Sequence, residues 1–323
     1  MLEAPRGMEG LLDFCKSEGI NEVYVSVSER SEVSEERRAA RLIGLLHRSN
    51  IRVEALISSI DADEPGEHRE TLLEHAREIV RFNESHPAER FDGIHLDVEP
   101  QQRPENKGAG DLRFLPGLVD AFRAVRGIAE PGGMTVNADI PNKLLRGDLE
   151  ERKMLLSAVP RVTLMMYELS SPEDGESAEQ MEDKAQRASE NYLAMAYDGL
   201  SGKNLAKMVI ALRTPDYGEL IGQMLKRLDD ANSANPHYLG WARHSYNDYL
   251  KARTSPQRNP TSARQRRAMT ATLPQRAGLC CASAVGGEAG IAYHRGLRRD
   301  LATRLCAQSA WLCRPVPARE PTK

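Results

Sequence analysis

Seven short runs rich in apolar and β-branched residues recur along the first 250 positions, separated by longer stretches of helical periodicity. The strand-like runs are NEVYVSVS (21–28), IRVEALIS (51–58), FDGIHLDVE (91–99), MTVNADI (134–140), RVTLMMYE (161–168), KMVIALRT (207–214) and HYLGWARHS (237–245). Between them, segments such as HRETLLEHAREIVRFNESH, DLRFLPGLVDAFRAVRGIA and GELIGQMLKRLDDAN place apolar residues three and four apart, the spacing of one helix face. Strands joined by helices of ten or more residues can lie parallel, because a parallel pair needs a long crossover. Two architectures then remain, a closed barrel and a doubly wound open sheet. No GxGxxG turn follows any of the runs, which disfavours the open dinucleotide-binding sheet. A helical segment, GLLDFCKSEG, precedes the first strand, so the expected fold is an α/β (β/α)₈ barrel of TIM type lacking strand 1.

The pattern fails after residue 252. From 251 onwards there are fourteen Lys or Arg against three acids, leaving thirty against forty-four in the remainder. The chain therefore divides into an acidic barrel, residues 1–252, and a basic, irregular C-terminal extension, 253–323, rich in Arg, Ser, Thr and Pro. Within the extension, GIAYHRGLRRDLATRL has strand and helix character, and GIAYH is β-rich enough to fill a gap in the barrel. An acidic body disfavours nucleic acid as a partner. No apolar run suits a membrane span, and MLEAPRGMEG lacks the apolar core of a signal peptide; the compartment stays open. Five cysteines, four of them in the extension and none in a CxxC pair, suit neither a disulfide framework nor a zinc site.

One run carries chemistry that packing does not require. In FDGIHLDVEP, His95, Asp97 and Glu99 alternate, so all three face one side of a strand. Ionisable groups there are costly to bury unless they meet partners or do work. Pro100 ends the strand and leaves Glu99 at its C-terminal end, the working end of a barrel strand. A carboxyl crowded by a second one keeps its proton towards neutral pH, as a general acid must, and Asp97 is positioned to supply that repulsion.

DGIHLDVE, with MMYE further on, resembles the family-18 glycoside hydrolases, the chitinase-like barrels, whose motifs are DGxDxDxE on strand 4 and MxYD on strand 6. The resemblance covers residues 8–252. It implies that Glu99 is the catalytic acid, that Asp97 orients it and steadies the substrate, and that Tyr167 holds the reacting amide. It also implies that Trp241 floors a sugar subsite. His95 stands where the family has Asp, Glu168 replaces an Asp, and the strand-3 SxGG element is absent from IRVEALISSI. An oligo- or polysaccharide is the implied partner, with no cofactor and no metal.

A glycosidase commonly needs a second carboxylate. Asp139, at the end of NADI, is the candidate, with Asn137 on its face; before Pro141 an Asp also suits a loop cap. Arg213 ends its strand where some barrel glycosidases carry Glu, and suits an acidic sugar or a salt bridge to Asp97. The expected catalytic set is thus Glu99, Asp97, Tyr167 and Asp139, with His95, Trp241, Arg213, Asn137 and Glu168 contacting substrate. Two other functions are open. His95, Asp97 and Glu99 are possible ligands of a divalent ion in a metal-dependent barrel hydrolase. The altered motif also suits a degenerate barrel that binds carbohydrate without turning it over.

Overall fold

The computed structural model describes residues 7–27, 33–106, 112–167, 176–202, 204–217, 220–254 and 310–315. The chain divides into two units, residues 1–252 with 306–323, and residues 253–305. All the described strands belong to the first unit. Of the second, only 253 and 254, the end of a helix, are described.

The strands in chain order are β1 (Glu22–Ser26), β2 (Arg52–Ser59), β3 (Gly93–Val98), β4 (Thr135–Pro141), β5 (Arg161–Met165), β6 (Lys207–Arg213), β7 (Tyr238–His244) and β8 (Ala310–Pro315). The helices are α1 (Gly7–Glu18), α2 (Val33–His47), α3 (Glu67–Ser85), α4 (Leu115–Ala129), α5 (Leu149–Leu156), α6 (Ala178–Tyr197), the single turn α7 (Thr214–Tyr217), α8 (Ile221–Asn232) and α9 (Tyr246–Thr254). Strands β1 to β7 pair in sequence, each parallel to the next. The α/β barrel expected from the alternation is therefore the fold.

The seam is where the structure differs from expectation. β8 pairs antiparallel with β1 on one side and β7 on the other, closing the ring. Its residues come from the stretch assigned to the irregular extension. The rest of that extension, including GIAYHRGLRRDLATRL, lies outside the described residues. A ring short of one strand leaves two rows of unpaired backbone groups, and a strand of either direction satisfies them. Among the described residues no helix is long and apolar enough to cross a membrane.

Side chains on each strand divide by parity. Outward residues such as Ile94, Leu96, Val98, Val136, Ala138 and Ile210 join the main core, packed with Leu115, Leu118, Phe122 and Val125 of α4 among others. A second, smaller apolar cluster of Tyr24, Leu56, Met165, Val209, Ala211 and Ala242 fills the ring itself. The rest of the interior is polar. Glu22, Glu54, His95, Asn137, Asp139, Arg161 and Thr163 are all buried there, an unusual load that has to be hydrogen-bonded.

The opening of β3 explains two residues of its motif. The Asp92 carboxylate accepts from the Val53 amide at 2.7 Å, and its Oδ2 lies 2.9 Å from Nε2 of His47, tying β3 to β2 and α2. A Cβ on Gly93 would stand 2.7 Å from the Thr135 carbonyl oxygen and 3.1 Å from Glu54 Oε1. Glycine is needed there for β4 and the Glu54 carboxylate to come this close.

Candidate active site

The C-terminal end of β3 is fixed by the backbone. The Glu99 amide donates to the Ser59 carbonyl at 2.8 Å, extending the β2 pairing one residue past the strand. Pro100 then begins a 3₁₀ turn, Pro100–Gln102, which carries two glutamines back over Glu99. Gln101 Nε2 donates to Glu99 Oε1 at 2.8 Å, and Gln102 Nε2 donates to Glu99 Oε2. Lys143, in the turn after β4, donates to the Gln101 carbonyl at 3.3 Å.

Asp97 lies one step deeper, half-buried, and accepts from the Ser58 hydroxyl at 3.1 Å through Oδ2. Asp139 is fully buried on β4; its Oδ1 takes a hydrogen bond from His95 at 2.8 Å. The pairing of β3 with β4, His95 opposite Asn137, brings Asp97 beside Asp139. Asp97 Oδ1 and Asp139 Oδ2 are both buried with no hydrogen-bond partner among the described residues. Tyr167 faces the same carboxyls; its ring stacks on His244 with centroids 5.8 Å apart, and the Arg213 guanidinium sits 5.6 Å from its centre.

The electrostatics follow from that crowding. Burial raises the Glu99 carboxyl, and the Asp139 charge raises it further; the Gln101 hydrogen bond and Lys143 oppose them, leaving it at about 7. Burial, then Asp139, then Glu99 push Asp97 well above the carboxylate range, against the Ser58 hydrogen bond and the nearby His95 charge. Burial and the three carboxyls also hold the proton on Tyr167, lifting its phenol well above the usual value. Asp97 was expected to be the group that tunes Glu99. The repulsion between the two falls on Asp97, and the like charge that raises Glu99 is that of Asp139.

Beneath these residues runs a chain of buried charges that local sequence patterns did not disclose. His95 Nδ1 lies 3.0 Å from Glu54 Oε2, and Glu54 Oε1 accepts from Asn137 and from Arg161, each at 2.7 Å. Arg161 also grips Glu22 with two bonds, at 2.6 and 3.0 Å. Tyr24 lies flat on the His95 ring, centroids 3.8 Å apart, and the Arg161 guanidinium sits 5.7 Å from the Tyr24 ring centre. The one local signal was a lone carboxylate, Glu54, within the apolar run VEALI.

Three expectations for substrate contact change on this geometry. His95 is completely buried between Glu54 and Asp139, and so reaches the mouth only through them. Asn137 is buried lower in the ring, spent on Glu54. Trp241 pairs with Ile210 and packs in the outer core, facing the helices; the inward positions on that strand are Ala242 and His244. Arg213 is exposed at the rim over Tyr167, and no Arg213–Asp97 bridge is among the ion pairs of the described residues. Glu168 lies outside the described residues. Among them, no group of three or more His, Cys, Asp or Glu side chains is disposed to hold a metal ion.

No family model and no curated protein matches the chain. Solved structures do, at low identity. The Ostrinia furnacalis Group II chitinase catalytic domain 2 is 14% identical with a TM-score of 0.36, over 60% of this chain and 56% of that one. The class V chitininase from Pseudomonas fluorescens Pf-5 is 14% identical with a TM-score of 0.42, over 64% and 65%. The chitinase from Chromobacterium violaceum ATCC 12472 is 12% identical with a TM-score of 0.39, over 66% of each chain. The match spans little more than half the length of the Ostrinia domain. The chain is an α/β barrel with distant structural similarity to chitinases.

Proposed function

We propose that the chain is a glycoside hydrolase acting on an O-glycosidic bond of an oligo- or polysaccharide, with Glu99 as general acid. The observation that carries this reading is the placement of the Glu99 carboxyl at the C-terminal end of β3, near the buried Asp139 carboxyl of β4, where burial and that charge raise its pKa to about 7. A group with that pKa can keep its proton until a leaving oxygen needs it, at close to neutral pH.

The surrounding groups suit the other half of the reaction. Cleavage of a glycoside passes through a positively charged, oxocarbenium-like state. The Asp139 charge, which raises both of its carboxyl neighbours, would stabilise that state in a buried setting where charge acts strongly. Directly below Glu99, the Asp97 and Asp139 carboxyls each keep one buried oxygen without a hydrogen-bond partner among the described residues, a polar floor to the site. Tyr167 keeps its proton and so remains a donor to substrate oxygen. A metal-dependent reading gains nothing from His95, because both ring nitrogens already face carboxylates.

The test compares glycosides of equal sugar and unequal leaving group on the wild type and Glu99→Gln. General acid catalysis contributes about 10²–10⁴-fold. Loss of that order is expected for Glu99→Gln on alkyl or saccharide leaving groups, with far less loss on nitrophenyl glycosides, which depart without a proton. Wild-type rates on the poor leaving groups should fall as pH rises through about 7, where Glu99 loses its proton. Equal losses on both substrate types would reject Glu99 as the acid. Sugar binding with no turnover of either would place the chain among non-catalytic carbohydrate binders.

A further inference from the structure

The interior histidine has a geometry that a neutral ring cannot satisfy while both of its carboxyl partners are ionised. Its two nitrogens lie 3.0 Å from Glu54 Oε2 and 2.8 Å from Asp139 Oδ1. An ionised carboxylate only accepts, so two such partners require two N–H donors, and only the imidazolium has both. The elements packed around the ring agree. From β1, the Tyr24 ring stacks on it, a favourable placement for a cation. From β2 comes Glu54, pushed up by burial but pulled down to about 2 by Arg161 and His95, so it stays ionised. On its own strand, Asp97 feels the His95 charge. From β4 come Asp139 and the Asn137 amide that binds Glu54, and from β5 comes Arg161, also bound to Glu54.

We propose that His95 is a charged positioning residue: as an imidazolium bridging Glu54 and Asp139, it holds the Asp139 carboxylate in place beneath the mouth, beside Asp97 and below Glu99. This rests on the glycosidase reading only for its purpose, not for its physics. Without His95, the buried Asp139 carboxyl would lose the hydrogen bond that fixes its Oδ1, its Oδ2 already having no partner among the described residues. The carboxylate would then no longer be held where its charge raises Glu99, and the acid would give up its proton at lower pH. Burial alone would discharge His95; Asp139, by charge and hydrogen bond, and then Glu54 outweigh it and raise the ring to about 9.

The experiment is a titration by nuclear magnetic resonance on the full chain without substrate, following the His95 ring nitrogens and the Glu99 carboxyl carbon. In the wild type, both ring nitrogens should carry protons at pH 7 and titrate near 9. A neutral His95 ring at pH 7 would overturn the inference. In Glu54→Gln, which keeps the shape of the partner, the His95 midpoint should drop by about one unit or more. In His95→Gln, the Glu99 midpoint should drop by about one unit. An unmoved Glu99 midpoint in a folded His95→Gln protein would also overturn it. If that variant fails to fold, the wild-type ring and Glu54→Gln still decide. Since no substrate is present, failure to turn over any glycoside counts against the proposed function and leaves this result standing.

Discussion

Asp97 is the residue at which stability and function most clearly oppose each other. Burial and two neighbouring carboxyls raise its folded-state pKa well above the unfolded value. Such a group favours folding fully below its unfolded pKa, near 4, and loses that contribution as pH rises through the folded value. Asparagine has no proton to lose and keeps the neutral form throughout. Asp97→Asn should therefore melt higher than wild type at pH 7, by about 2–4 °C for each kcal/mol relieved. The difference should shrink as pH approaches 4, and turnover should fall at every pH; differential scanning calorimetry across that range checks it. The two-residue ladder of His95, Asp97 and Glu99 was legible in FDGIHLDVEP, because strand parity is a local property. Of their partners, Asp139 was legible at the end of NADI and Tyr167 through the resemblance, while Glu54 was not. Glu54 meets His95 only when strands distant in sequence come into register, and register is fixed by packing across the sheet. Tyr167 follows the same rule, arriving near the carboxyls from the end of β5.

Strand positions were the most readable feature of the chain, since each of the seven runs holds enough apolar residues in a row to be recognised alone. Facing was harder. The pairing of β6 with β7 slips between Met208 and Val209, where Tyr238 and Gly240 oppose consecutive residues and Leu239 has no partner. Such an irregularity is invisible in HYLGWARHS, yet Trp241 ends facing the helices and Ala242 the ring. Between β3 and β4 the tolerances are close. Gly93→Ala would drive a methyl to 2.7 Å from the Thr135 carbonyl and 3.1 Å from Glu54. Overpacking of this kind costs about 1–3 kcal/mol, and a urea titration should show it. Across the ring, from β5 to β1 and β2, the concern is charge. Arg161→Met leaves Glu22 and Glu54 buried without their guanidinium, and removing one member of a buried pair costs about 3–5 kcal/mol. The same titration, run on Arg161→Met, should give the larger loss of the two.

For the barrel as a whole, closure depends on a strand supplied from beyond the regular repeat. The (β/α) alternation made a ring short of one strand the natural expectation, because nothing in AWLCRP repeats the strand–helix pattern. Its identity as the closing strand lies in two long-range pairings, to β1 and β7, that no local window contains. Removing residues 306–323 should open the seam and bare one edge each of β1 and β7. Exposed edges of this sort join other chains, so the truncated protein should elute as multimers or precipitate where the full chain does not. Light scattering after size-exclusion chromatography would measure it, and a monodisperse truncated monomer would contradict the role given to β8.

The antiparallel closure has a temporal side. Glu22 pairs with Cys313, so the ring joins two segments 291 residues apart along the chain. On a ribosome adding about 5–20 residues per second, β8 emerges roughly 3–13 s after β7. For that interval the nascent barrel holds its parallel strands with the last place vacant, at the stage when neighbouring polypeptides are nearest. The speed of translation across the stretch between β7 and β8 thus sets how long the seam stays open to the wrong strand.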